Sequence, residues 1–141
     1  MSNENNSGFY ELELKASKDN LSRVMGFVEE ALETSACSIK AMMQINLAVE
    51  EIFVNVASYA YAPDTGNVTV RVGVGPGAAE ITFIDSGVPY DPLAKPDPDV
   101  TLSAQDRAIG GLGIFITKKF MDEVSYEYKD GRNILTLKKC F

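Results

Sequence analysis

The sequence predicts an α+β domain, a two-layer sandwich with helices on one face of a mixed, mostly antiparallel sheet. Three patterns carry that expectation. Short runs of alternating apolar and polar residues mark strands, and two longer stretches with apolar residues three and four apart mark helices. Four of the strand-like runs also come in adjacent pairs joined by glycine-containing turns, as hairpins are. The resulting order is β-α-α-β-β-loop-α-β-β.

Element by element, Phe9 to Leu14 alternates, with Tyr10, Leu12 and Leu14 opposing Phe9, Glu11 and Glu13, and reads as a short strand. Asp19 or Asn20 then caps a helix carrying Leu21, Val24, Val28, Ala31 and Leu32, which should end near Ser35. A second helix is expected from about Ser38 to Tyr59. Ile39, Met42, Met43, Ile45, Leu47, Val49, Ile52, Phe53, Val54 and Val56 make it apolar around most of its circumference, the mark of a buried helix. The turn cluster from Ala62 to Gly66 leads to two strands, Asn67 to Val74 and Ala79 to Asp85, on either side of Gly75-Pro76-Gly77. Between Ser86 and Arg107 the chain is rich in Pro, Asp and Gly, with Pro89, Pro92, Pro96 and Pro98. An irregular stretch of that length belongs to a lid, a binding loop or disorder. Gly110 to Gly113 opens a third helix, roughly Ile114 to Met121. Two last strands, Val124 to Lys129 and Asn133 to Lys138, flank Asp130-Gly131, a strong hairpin signal.

A chain of 141 residues suits one domain, here taken as 9–141 behind a flexible polar N-terminus of residues 1–8. With 45% hydrophobic and 23% charged residues, it can bury a core and does not have the composition of a disordered chain. The formal charge of −7 disfavours direct binding of nucleic acid, which needs clustered cations. A single nucleotide is compatible with it, since backbone amides and one cation can hold phosphates locally. The absence of histidine removes phosphohistidine transfer and Ser/His triads. Cys37 and Cys140 lie outside any CxxC spacing and are expected as two free thiols, with a lone disulfide as the alternative. No apolar run approaches a bilayer span and Met1 to Gly8 lacks the features of a signal peptide, so the expected setting is cytoplasmic, away from the membrane.

Three segments carry candidate chemistry. Glu51 and Asn55 stand four residues apart and so share a face of the second helix, while Glu50 points elsewhere. A Glu on an apolar helix needs a cation, donors or water. An Asn carbonyl oxygen suits magnesium, and a Glu suits a general base. A plain hydrogen-bonded surface pair explains the same spacing. Asp85 ends an apolar strand and Gly87 follows two residues later. Its carboxylate can accept from an exocyclic amine of the kind adenine carries, or close an Asx-turn. In Gly110-Gly111-Leu112-Gly113, glycines at a helix start let amides approach an anion, and Arg107 upstream can add a phosphate contact. A flexible hinge is the other reading. There is no Walker A pattern.

In this order the segments resemble the N, G1 and G2 boxes of the Bergerat-fold, histidine-kinase-like ATPases. They look most like those of the bacterial anti-sigma-factor serine/threonine kinases. The N-box is Ala48-Val49-Glu50-Glu51-Ile52-Phe53-Val54-Asn55 through Tyr61. The G1 box runs from Asp85-Ser86-Gly87 to Asp91-Pro92, and the G2 box from Arg107 to Phe115. The resemblance implies a Bergerat ATP-binding fold, with Asn55 as magnesium ligand and Glu51 as general base. It further implies that Asp85 holds the adenine amine and that Gly87 makes room for the ring. Gly110, Gly111, Leu112 and Gly113 would form the phosphate-binding segment, and Arg107 would sit near the terminal phosphate. The implied reaction transfers the ATP γ-phosphoryl group to a Ser or Thr of a STAS-domain anti-sigma-factor antagonist. The implied partners are that antagonist and a sigma factor, with the kinase as a homodimer. A regulatory module that binds ATP without kinase activity is the alternative. One departure is Tyr59, which stands where that family usually has a histidine, and packing near the adenine is where its effect is expected.

Overall fold

A computed structural model describes residues 8–61, 64–94 and 111–141. Its elements follow the expected order: β1 (Gly8–Lys15), α1 (Leu21–Leu32), α2 (Ile39–Tyr59), β2 (Asn67–Val74), β3 (Ala78–Asp85), α3 (Gly111–Phe120), β4 (Glu123–Lys129) and β5 (Arg132–Cys140). Short 3-10 turns lie at Lys18–Asn20 and Pro92–Ala94. The five strands form one sheet in the order β1-β2-β3-β5-β4. All four ladders between them are antiparallel, so the expected mixed, mostly antiparallel sheet lies at its antiparallel limit. Gly8, expected in the flexible tail, instead begins β1 opposite Val74.

The period-2 pattern turns one row of each strand toward the helices. Val68, Val70, Val72 and Val74 from β2, Ala79, Ile81 and Phe83 from β3, and Leu135 and Leu137 from β5 meet Val24, Val28 and Leu32 of α1 and Ile45, Val49, Ile52 and Phe53 of α2 in one core. Phe53 and Phe83 are at most 1% exposed, and burial of each such ring is worth about 1.5–3 kcal/mol. The other strand faces are more polar. Arg71 pairs there with Glu11 at 3.4 Å, and the Thr82 and Thr136 hydroxyls hydrogen-bond across neighbouring strands.

Local chemistry sets the element boundaries. Ser38 caps α2 by accepting from the Ala41 amide at 3.1 Å. Asn20 occupies the N-cap of α1, but its side chain caps nothing and donates back to the Lys15 carbonyl. Ser17 supplies the cap one turn earlier, accepting from the Asp19 amide. At the β4–β5 hairpin, Asp130 and Gly131 have φ of 55° and 77°, the pair of positive values that a tight type I′ turn requires.

The expectation of a second helix buried all round is corrected. α2 buries Ala41, Ile45, Ala48, Val49, Ile52 and Phe53, while Ile39, Met43 and Leu47 on the opposite side are 81%, 62% and 52% exposed. One layer of helix covers only one face of the sheet, so α2 has the core beneath it, α1 and α3 beside it and nothing described above.

Candidate functional site

The inward rows of β3 and β5 end in polar residues. Asp85 and Asn133 are directly opposite in register and are 5% and 6% exposed, at the end of the sheet beneath the last turns of α2. An unpaired buried carboxylate or amide is costly, so the hydrogen bonds here decide what the site can do. Asp85 Oδ1 accepts from the Gly87 amide at 2.8 Å and from Asn133 Nδ2 at 2.9 Å. Both bonds fall on one oxygen; among the described residues Oδ2 accepts none. The Asx-turn reading of Asp85 is therefore realised, and it leaves the second oxygen for another donor.

Above this pair lies a pocket. Ile52, Asn55, Val56 and Tyr59 of α2 form one side, Phe83 and Asp85 of β3 with Asn133 and Leu135 of β5 the floor, and Val88, Tyr90 and Tyr126 the far side. Its lining is mostly apolar, with a few convergent polar groups, as suits a flat ring that carries a donor. Asn55 turns into it, and its amide nitrogen is buried without a partner. The rings of Tyr59 and Tyr90 pack at 5.6 Å with a 34° tilt, so the residue at the histidine position forms half of an aromatic pair on the pocket wall. Burial, against a smaller opposing effect of the Tyr90 backbone, holds the Tyr126 phenol above its ordinary pKa, so it stays a donor, and it gives its hydrogen to Asn133 Oδ1.

Glu51 lies one turn back along α2 in a second depression, lined by Leu47, Glu50, Val54, Gly113 and Ile116. Its carboxyl group packs against Gly113 in the first turn of α3, where an added Cβ would overlap it. Burial, and secondarily the Glu50 carboxylate, push the Glu51 pKa up. A carboxylate with raised proton affinity is a better base. From Tyr59 to Glu51 is eight residues, or roughly 12 Å at 1.5 Å per residue. The helix thus presents an apolar slot at one end, an amide in the middle and a carboxylate beside a helix N-terminus at the other.

Of the expected site residues, Asn55, Asp85, Glu51 and Gly113 fall along this line. Gly111 and Leu112 open α3, whereas Arg107 and Gly110 lie outside the described residues. Gly87 has a steric reason for being glycine in addition to the expected room for a ring. An added Cβ would overlap the Ala60 carbonyl oxygen, which accepts from the Val88 amide at 2.9 Å, so the G1 turn packs directly on the end of α2. Asn133, Tyr90 and Tyr126 were not foreseen. The parity of β5 signals Asn133, because it occupies the inward row that Leu135 and Leu137 continue. Among the described residues no three His, Cys, Asp or Glu side chains form a metal cluster, and no helix is long and apolar enough to cross a membrane. Cys37 and Cys140 are free.

Residues 14–139 match the family described as histidine kinase-like ATPase domain. The chain is similar to the serine/threonine-protein kinase BtrW of Bordetella bronchiseptica, 26% identical over 128 residues that cover 89% of each chain. It is also similar to the serine-protein kinase RsbW of Bacillus cereus, 25% identical over 81% of this chain and 68% of the relative. Among solved structures, the RsbU and RsbW domains of Rv1364c from Mycobacterium tuberculosis share the fold, with a TM-score of 0.65 at 18% identity. That match covers 94% of this chain and 32% of the other, so the present chain spans about a third of that protein.

Proposed function

Because this chain belongs to the histidine kinase-like ATPase domain family, we propose that it is an ATP-dependent protein serine/threonine kinase of the anti-sigma-factor type. One observation carries the reading: α2 turns an unpartnered buried amide, Asn55, into the pocket that holds Asp85, and one turn away sets Glu51 against the start of α3. The adenine ring fits the apolar slot, with its amine on Asp85 Oδ2 and its faces against apolar and aromatic walls. The phosphates run along α2 toward the first turn of α3, where Gly111, Leu112 and Gly113 bring backbone amides and the positive end of a helix dipole. Gly110 and Arg107 extend that phosphate segment in our reading.

The residues present fit magnesium. The orphaned atom of Asn55 is its amide nitrogen, a donor that calls for an acceptor such as a phosphate oxygen, and the oxygen of the same amide, with phosphate oxygens and waters, is a ligand set magnesium accepts. Bound there, magnesium would neutralise charge on the phosphates. Glu51 takes the proton of the attacking hydroxyl, a role that its desolvated carboxyl and its place beside the phosphate segment both favour. The remaining work of phosphoryl transfer is positioning.

The acceptor hydroxyl in this reading is a Ser or Thr of a STAS-domain antagonist, and the second partner is a sigma factor. In this reading the kinase works in the cytoplasm and acts as a homodimer without contacting nucleic acid or membrane. The similarity to proteins named serine- and serine/threonine-protein kinases supports a hydroxyl acceptor, and the partners are those the motif resemblance implies. Calorimetry of ATP binding, with and without magnesium, in wild type and Asn55→Ala tests the site. Magnesium-dependent binding that the variant loses is expected. Unchanged affinity in Asn55→Ala sinks the ligand assignment, and no binding in the wild type sinks the kinase reading.

A further inference from the structure

Asn133 uses every hydrogen-bonding capacity its amide has. Nδ2 donates to Asp85 Oδ1 at 2.9 Å and to the Val88 carbonyl at 2.8 Å, while Oδ1 accepts from the Tyr90 amide at 3.1 Å and from the Tyr126 hydroxyl. An amide offers two hydrogens and two lone pairs, and all four are taken. The same set fixes which end is which, since only Nδ2 can serve the Asp85 carboxylate and only Oδ1 the Tyr90 amide. A side chain so occupied has nothing left for a ligand. What it does is hold Asp85 by one oxygen, from a buried position, and tie to it the Val88 and Tyr90 backbone that walls the pocket.

We propose that Asn133 is the positioning residue that sets purine specificity: by donating to Asp85 Oδ1 it fixes the orientation of the carboxylate and aims Oδ2 at a 6-amino group. This rests on the ATP reading above. A 6-oxo purine such as hypoxanthine presents an acceptor there, and two acceptors facing one another in a buried slot leave both unpaired. Without Asn133 the carboxylate is held, among the described residues, only by the Gly87 amide and is free to turn, so Oδ2 no longer meets the 6-amino group in preference to a 6-oxo group. Discrimination between the two purines therefore depends on a residue that touches neither.

The test compares affinities for ATP and inosine triphosphate in wild type, Asn133→Thr and Asn133→Val. The two variants have nearly the same shape and differ in a hydroxyl that can donate to Asp85. Wild type is expected to favour ATP. Asn133→Val should lose about tenfold or more of that preference, the loss expected for one hydrogen bond to a charged group. Asn133→Thr should keep the preference to within about threefold, half a decade and well short of that loss. If the two variants weaken ATP and inosine triphosphate by the same factor, Asn133 is only a structural support and the proposal falls. A wild type that binds neither nucleotide removes the ATP reading itself, a distinguishable failure. Tyr126→Phe, which takes away one of the four bonds and keeps the ring, gives a second measurement should the Asn133 variants not fold. It should lower the ATP preference by a smaller factor, and an unchanged ratio counts against the proposal.

Discussion

Replacing Gly87 by alanine tests whether the G1 turn is built on the end of α2. The new Cβ would overlap the Ala60 carbonyl oxygen and stand 2.8 Å from the Ala60 Cα. Both are backbone atoms, so no side chain can rotate away. Overpacking of this kind costs about 1–3 kcal/mol. Relief requires the turn to move off α2, which also gives up the 2.9 Å bond from the Val88 amide to Ala60, worth about 0.5–1.5 kcal/mol. Together the loss is about 1.5–4.5 kcal/mol. At roughly 3–5 °C per kcal/mol for a domain of this size, Tm should fall by about 5–22 °C. Thermal unfolding without nucleotide reads this directly, because the clash involves no ligand. A Tm within about 2 °C of wild type, less than one kcal/mol by the same conversion, would refute the close packing of Gly87 on Ala60.

Gly113→Ala should behave in the opposite way. Its Cβ meets the far end of the Glu51 side chain, which can swing aside, so Tm should stay close to wild type while phosphoryl transfer falls by about 10²–10⁴-fold, as for a displaced base; wild-type turnover in a steady-state assay counts against the role of Glu51. Glu51→Gln should keep ATP binding, lose transfer by a similar factor and raise stability at neutral pH. The folded pKa of Glu51 is raised, so wild type gains from its protonated form below the ordinary Glu value of about 4.3 and loses that gain as pH rises through the folded value. The advantage of the variant should shrink as pH falls through the same window; an offset in Tm that does not change with pH would contradict the assignment. Tyr61→Phe removes a hydroxyl that donates to the Asn67 carbonyl at 2.6 Å and accepts from the Ser86 amide at 2.8 Å, and should cost about 1–3 kcal/mol in a denaturant titration.

Where the physics is local, the sequence already contained the structure. Alternation in β2 and β3, the start of α2 near Ser38 and the Asp130-Gly131 turn depend on neighbours within a few residues, and the structure has each at its expected place. The composition of α2 was read correctly but its burial was not. Periodicity shows which residues are apolar, whereas exposure of Ile39, Met43 and Leu47 depends on how many layers the fold has. The site divides in the same way. Glu51, Asn55 and Asp85 announce themselves as polar residues in apolar elements. Asn133 does so only once β5 is known to lie beside β3 with that residue opposite Asp85, a pairing across 48 positions. Gly87 carried the opposite lesson, since its glycine was visible while the carbonyl that demands it belongs to another element.

The strand order has a consequence for synthesis. Because β5 is made long after β3 yet sits beside it, the outer edge of β3 has no neighbour until the residues after Gly131 leave the ribosome. During that interval the nascent chain shows a row of unpaired amides and carbonyls on an eight-residue strand rich in apolar side chains, a template for pairing with other chains. The strand that closes this edge also brings Asn133 to Asp85, so protection of the edge and completion of the pocket are one event. Ribosome-bound chains stalled before Arg132 should therefore need chaperone protection that the finished chain does not.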